Sequence, residues 1–377
     1  MPHLTLTHND ESRTLEWRTE STQKPPRAVS PIQECSAAAI LENAHAHTAT
    51  LWLGDFHNAK QVLAAIKKRL RKPTSGNKTK IAANTAEAFH RHRMQQAQQA
   101  RLINMLAVEI GPAFTLEMPR APNVYQALAD VYSEENSRPF LLPLNQLLGF
   151  IGAHEWHKKG ISIAALGGHI HVPFGVFSPL RGEYLDLIAQ APLSPNCRSA
   201  FDIGTGSGVI AALLARRGIA KVTATDTNPR ALACAQANLN NLGLSENVRI
   251  QKTDLFPDGY AELIVCNPPW LPAKPTSTIE TALYDPESAM LRGFLNGVSV
   301  HLSEHGEAWL VMSDLAEQLG LRQPGELAAM IADAGLCIVA TSHTPPRHSK
   351  AHNPNDPLAF ARMRETTYLY RLNKMPV

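Results

Sequence analysis

Two short runs hold residue types that do chemistry once a fold brings them together. At 263–270 the chain reads LIVCNPPW. The apolar LIVC reads as a buried strand, and Pro268 and Pro269 must end it because neither can donate to a sheet ladder. The loop that follows is stiff. It presents the Asn267 amide, the Pro268 carbonyl and the flat ring of Trp270. At 201–209 FDIGTGSGV joins a strand to a helix. Gly204, Gly206 and Gly208, with Thr205 between them, allow a tight turn that a ligand can approach closely. The spacing is GxGxG, not the GxGxxG of dinucleotide folds, and no hydride-transfer site accompanies it, which disfavours a dehydrogenase. Asp202 precedes the turn. Asp226 ends the next strand, 22 residues after Gly204, where a carboxylate can accept both hydroxyls of a ribose. Asp254 ends a third strand, in KTDLF, where it can accept from an adenine amine with Leu255 against the ring.

These positions require a particular scaffold. From about residue 161 strand-like and helix-like runs alternate: SAFDIG, VIAALLARRG, KVTATD, PRALACAQANLNNLG, VRIQKTD, AELIVCN, a helix near 287–302, EAWLVMS, a helix near 324–334 and LCIVATS. That alternation predicts an α/β fold, a parallel sheet with helices on both faces. Carboxylates at successive strand ends then share one sheet edge, the usual ligand edge. TTYLYRL at 366–372 follows a long polar loop without a crossover helix, so it is expected to return antiparallel. Upstream, residues 1–35 are polar and Thr/Pro-rich and read as a disordered tail or loosely docked arm. Residues 36–160 read as a mostly helical accessory domain, with an amphipathic helix over 57–71, a longer one opened by an Asn84/Glu87 capping box, and others over 122–135 and 143–159.

Composition narrows the class. The 377 residues are 44% hydrophobic and 18% charged, enough for packed domains, and no apolar run reaches membrane-span length. The N-terminus has no signal-peptide apolar region. Cys35, Cys197, Cys234, Cys266 and Cys337 form no CxxC, which fits reduced thiols and a cytoplasmic location. The net charge of +3 hides an asymmetry: residues 60–101 hold 11 Lys/Arg against the single acid Glu87, leaving 25 basic and 32 acidic residues elsewhere. Such a stretch is either a solvated helical face or a footprint for a phosphate backbone.

The glycine turn with Asp226 and Asp254, followed by Asn267-Pro268-Pro269-Trp270, resembles the class I S-adenosylmethionine (SAM)-dependent methyltransferases, in the branch with an (N/D)PP(Y/F/W) loop. The resemblance covers roughly residues 165–377 and includes GVFSP at 175–179, similar to the segment before the core of "small domain" ribosomal RNA methyltransferases. It implies a Rossmann-like seven-stranded sheet over 161–377 and SAM as cofactor, held by Asp202, Gly204, Thr205, Gly206, Gly208, Asp226, Asp254, Leu255 and Asn267. Catalysis falls to Asn267, Pro268, Pro269 and Trp270. The acceptor is the nitrogen of an adenine, a guanine or a glutamine amide, whose lone pair is delocalised. Asn267 and the Pro268 carbonyl can each accept one of its N–H bonds and stabilise the charge that develops, while Trp270 stacks on the planar group.

The substrate reading is an exocyclic base amine in RNA, ribosomal RNA first, bound through the basic residues 60–101. Trp270, Phe177, Arg347, His348 and Lys350 are the substrate-side candidates, the last three because their loop (343–364) leaves the same sheet edge. Ser313 and Asp314 follow another strand end there. The alternative is protein-glutamine N5 methylation, as in release-factor methyltransferases. Trp270 in place of Tyr, and SPLRGEYLDL in place of a PRPETE-like segment, depart from that group. A further alternative is an inactive RNA-binding scaffold. Cys266 reads as a strand residue rather than a nucleophile. The histidines at 45–47, 154–157 and 169–171 lack the partners of a closed metal site, so no metal is expected.

Overall fold

The computed structural model describes residues 2–71, 84–132, 134–180, 182–346, 353 and 356–376. Arg347, His348 and Lys350 lie outside the described residues. The chain divides into two compact units, one of Met1–Ala82, His90–Glu155 and Thr276–Thr278, the other of Ala83–Phe89, Trp156–Pro275 and Ile279–Val377.

The first unit is built on strands. β1 (His3–His8) and β2 (Glu11–Trp17) form an antiparallel hairpin. Its two-residue loop, Asn9-Asp10, has both φ values positive, 51° and 63°, the geometry whose twist matches paired strands. Then come β3 (Ala28–Ile32), α1 (Ala37–His45), β4 (Thr48–Trp52), α2 (Phe56–Arg71), α3 (Thr85–Ile103), β5 (Leu106–Ile110), α4 (Tyr125–Ala129), β6 (Phe140–Pro143) and α5 (Leu144–Lys159). The sheet order is β1-β2-β6-β5-β4-β3. Two expectations are corrected here. Residues 1–35 supply three strands rather than a tail, because LTLT and RTLEW alternate so that Leu4, Leu6, Leu15 and Trp17 are buried while the residues between them face outward. Residues 36–160 are more than half helical, through α1 to α5, but they also supply three strands that the helical reading left out: TATLW, LAVEI and FLLP are short apolar runs whose periodicity does not separate strand from buried helix. Of the helix expected over 122–135 only α4 forms. The capping box is present, with the Glu87 N–H donating to Asn84 Oδ1 at 2.8 Å.

In the second unit a short hairpin, β7 (Ile161–Ile163) and β8 (Gly168–Ile170), precedes α6 (Glu183–Gln190). The main sheet follows: β9 (Ser199–Ile203), α7 (Val209–Arg216), β10 (Lys221–Asp226), α8 (Pro229–Asn241), β11 (Val248–Lys252), β12 (Ala261–Cys266), α9 (Ala289–His301), β13 (Leu302–Ser313), α10 (Leu315–Gln318), α11 (Glu326–Asp333), β14 (Leu336–Thr344), α12 (Ala359–Arg362) and β15 (Thr367–Lys374). The order is β11-β10-β9-β12-β13-β15-β14. β9 to β13 pair in parallel, and β15 inserts antiparallel between β13 and β14, as expected from the sequence. One apolar cluster holds Ile210, Leu213, Tyr184 and Trp309; a second holds Phe294, Leu295, Ile331 and Leu372. The last four residues of β12 are fully buried, as a central strand covered on both faces demands. Strand order reverses at β9, whose neighbours are β10 and β12, and the carboxyl ends of strands at such a switch point open the ligand crevice.

Candidate active site

The turn after β9 is fastened by buried groups. Asp202 is fully buried; its Oδ2 accepts from Thr205 Oγ1 at 2.6 Å and from the Ala211 N–H at 2.9 Å, while Oδ1 has no partner among the described residues. Burial pushes its pKa up to about 7; the Thr205 and Ala211 hydrogen bonds oppose the rise and the nearby Asp226 charge adds to it. Gly206 and Gly208 have φ values of 55° and 79°, a region costly for any residue with a Cβ. A Cβ on Gly208 would stand 2.9 Å from that of Ala235, so this glycine lets α7 approach α8. A Cβ on Gly206 would meet nothing within 4 Å: the turn faces open space there. Gly204 lies against Met290, at the start of α9.

The next strand end is pre-oriented. Asp226 Oδ2 accepts from the Gly206 N–H at 3.0 Å and Oδ1 from the Asn228 N–H at 2.8 Å, leaving a lone pair on each oxygen. Asp254 is exposed beyond β11, and Leu255 follows with φ 59°. The Leu255 side chain lies against Gly293 on α9, and its carbonyl accepts from Thr225 Oγ1 at 2.6 Å. Phe177 is half-buried, in a segment whose Gly175 carbonyl accepts from Asn228 Nδ2 at 3.4 Å.

β12 ends at Cys266, and Asn267-Pro268-Pro269-Trp270 leaves from beside the glycine turn, since Cys266 pairs with Ile203. Trp270 is half-buried, packed against both apolar clusters, and its Nε1–H donates to Asn267 Oδ1 at 3.0 Å. The indole N–H therefore occupies one lone pair of the oxygen assigned above to the acceptor amine. Cys266 is fully buried, and burial holds its thiol well above the ordinary range, so it is no nucleophile.

Three residues were not singled out in the sequence. Tyr184, on α6, is buried; burial raises its pKa, and a hydrogen bond from the Asn267 side chain opposes the rise. Its signal is the SPLRGEYLDL segment read only as a departure from the family. Asp285 caps α9, its two oxygens accepting from the Met290 and Leu291 N–H groups at 2.9 and 3.0 Å. Arg322 is buried, its Nη2 3.5 Å from Ser288 Oγ, with Glu326, Glu317 and Asp285 near enough to offset part of its burial cost. Ser313 donates to Glu365 Oε1 at 2.8 Å, and Asp314 Oδ1 accepts from the Thr366 N–H at 2.7 Å, so both fasten the end of β13 to the start of β15. Among the histidines, His154 pairs with Asp130 at 2.7 Å, His47 accepts from Arg101 at 3.1 Å, and His171 Nδ1 meets the His157 carbonyl at 2.7 Å.

Two outcomes test this geometry. Gly208→Ala should destabilise by about 1–3 kcal/mol through overpacking against Ala235 and left-handed strain, whereas Gly206→Ala should cost only the strain, about 1–2 kcal/mol; chemical denaturation reads both. The Asp202 pKa lies above that of an unfolded carboxylate, so the native state holds this proton more tightly. Stability from this group is complete below about pH 4 and is lost as pH rises toward 7. Melting temperature should therefore carry a component that falls across this range and that Asp202→Asn removes.

Residues 175–322 match the family model "Methyltransferase small domain". Relatives include a release factor glutamine methyltransferase of Cereibacter sphaeroides, 29% identical over 65% of this chain and 86% of its own length. A tRNA1(Val) (adenine(37)-N6)-methyltransferase of Cytophaga hutchinsonii is 29% identical over 33% of this chain and 56% of its own. A ribosomal protein uL3 glutamine methyltransferase of Neisseria meningitidis serogroup A is 37% identical over 25% and 33%. The chain spans less than two thirds of the length of the last two. The family match spans both the glycine turn after β9 and the Asn267-Pro268-Pro269-Trp270 loop after β12.

Proposed function

We propose that the chain transfers the methyl group of S-adenosyl-L-methionine to the nitrogen of a planar amino group, an exocyclic base amine of RNA. The observation that carries the reading is the Asn267-Pro268-Pro269-Trp270 loop at the end of β12, next to the glycine turn after β9. The residues at this edge suit the cofactor. Open space stands over Gly206, Asp226 keeps a lone pair on each oxygen, Asp254 is exposed one strand further, and Asp202 Oδ1 is buried with no partner among the described residues. Gly204, Thr205, Gly206 and Gly208 would line its methionine side, Asp226 its ribose, and Asp254 with Leu255 its adenine. When bound, it supplies an electrophilic methyl group.

The acceptor nitrogen needs no prior deprotonation. Its lone pair must be turned toward the methyl group, and the charge it gains must be met. Asn267 Oδ1 and the Pro268 carbonyl accept its two N–H bonds, which favours pyramidal nitrogen and stabilises the developing cation. The Trp270 face holds the planar group in register, and proximity supplies much of the remaining acceleration.

RNA is favoured by α2. Lys60, Lys68, Arg69 and Arg71 are exposed on it and Lys67 is half-buried, and none is in an ion pair with a carboxylate among the described residues. Burial lowers the Lys67 pKa, and the neighbouring Arg71 charge adds to the fall. Such a face suits a phosphate backbone. A second reading, protein-glutamine N5 methylation, is favoured by the glutamine methyltransferases among the relatives, one of them aligned over 86% of its length.

Labelled S-adenosyl-L-methionine offered with ribosomal particles, total RNA and soluble protein from cells lacking the chain should label nuclease-sensitive material. Label in protease-sensitive material would replace RNA by glutamine. RNA binding without transfer would make the chain a scaffold. Asn267→Ala should lower the rate on the order of 100-fold with cofactor binding retained. Reversing charge at Lys68, Arg69 and Arg71 should weaken RNA binding and flatten its salt dependence by roughly one unit of slope per lost phosphate contact; a filter-binding salt series reads this.

A further inference from the structure

An asparagine amide has two nearly isosteric ends, one accepting and one donating. If Asn267 is to accept from an amine, its oxygen and not its NH2 must face the acceptor. A flipped amide would set N–H against N–H and remove the electrostatic gain. The end presented is set by the hydrogen bonds the amide makes. Two partners of opposite polarity meet it here. The Trp270 Nε1–H, which can only donate, lies 3.0 Å from Oδ1. Tyr184, buried in a cluster that Trp270 packs against, has the Asn267 side chain as a hydrogen-bond neighbour; with Oδ1 engaged by Trp270, the amide N–H is the end assigned to the phenol oxygen.

Both partners are held in place by packing. Tyr184 is 3% exposed within one apolar cluster, and the Trp270 ring packs against both. Trp270 also stands at the end of a loop stiffened by two prolines. We propose that Tyr184 and Trp270 are positioning residues that clamp the Asn267 amide from its two ends, so that the indole N–H serves catalysis as well as the indole face. A carbonyl oxygen has two lone pairs, so Oδ1 can hold Trp270 and the acceptor nitrogen together. The inference rests on the reading of Asn267 given above.

The test compares Trp270→Phe, which keeps a flat ring without the N–H, and Tyr184→Phe, which keeps the packing without the hydroxyl. Each is made in the wild-type chain and in Asn267→Ala. The readout is single-turnover transfer from labelled S-adenosyl-L-methionine to total RNA, or to total protein if that pool takes label, from cells lacking the chain. Each phenylalanine variant should lower kcat about tenfold, leave KM for S-adenosyl-L-methionine unchanged, and have no further effect once Asn267 is alanine. Unchanged rates in both variants, with Asn267→Ala inactive, would overturn the clamp and leave the reading of the loop standing. Equal losses with and without Asn267 would also overturn it, since the two residues would then act elsewhere. An Asn267→Ala enzyme as active as wild type would overturn the reading of the loop and the clamp with it. If Tyr184→Phe does not fold, Trp270→Phe decides alone.

Discussion

A chain of hydrogen bonds ties the carboxyl ends of three parallel strands together, and the site depends on it. The Thr205 N–H donates to the Thr225 carbonyl at 2.8 Å, the Gly206 N–H to Asp226, and Thr225 Oγ1 to the Leu255 carbonyl. The turn after β9, the end of β10 and the residues after β11 are therefore cross-linked to one another. Asp202 anchors this network from beneath, joining Thr205 to the first turn of α7. Burying a carboxylate there is costly, and its raised pKa measures part of the cost. In return the groups that meet a ligand are fixed before it arrives, so that binding does not have to order them.

The opposite wall is made differently. Pro268 and Pro269 end β12 by removing its donors, and no hydrogen bond from neighbouring strands is needed to stop it. The chain then reaches α9 through Glu287 and Ser288, whose φ values of 58° and 54° are strained for residues with side chains. Asp285 at the N-terminus of α9 and Arg322 at Ser288 hold this turn. Its consequence is that Met290 comes against Gly204. One wall is thus rigid through hydrogen bonds between strand ends, and the other through proline and a capped, strained turn.

The sequence disclosed the second unit far better than the first, for a physical reason. A parallel sheet covered on both faces needs apolar strands separated by amphipathic helices, and each glycine, carboxylate or proline at a strand end marks the edge. The antiparallel β15 followed from the lack of a crossover helix. The first unit has no such punctuation. Its strands β4, β5 and β6 are four or five residues long, and only the Asn9-Asp10 turn between alternating threonines carried a hairpin signal. At the candidate site, residue types pointed to Asn267 and Trp270, but no pattern showed that the indole N–H is spent on its own loop. Tyr184 was hidden because its partner lies more than eighty residues away in sequence, and only the fold joins them.

The same anchoring takes up donors that a dinucleotide turn would offer to a pyrophosphate. A dinucleotide turn offers the free N–H groups at the start of its helix to a phosphate. Here the Ala211 N–H, in the first turn of α7, already donates to the buried Asp202 carboxylate, and the Gly206 N–H donates to Asp226. Two donors near the helix start are thus used internally, and Asp226, Asp254 and Asn267 Oδ1 stand as acceptors at the strand ends. An edge rich in acceptors suits a ligand rich in donors and positive in charge. Ribose hydroxyls, an adenine amine, a sulfonium and an acceptor amine that gains charge in the reaction are such groups. The GxGxG spacing and the chemistry of the asparagine loop therefore fit one electrostatic arrangement, in which the Gly206 and Ala211 N–H groups are taken by carboxylates from inside and acceptors stand at the strand ends.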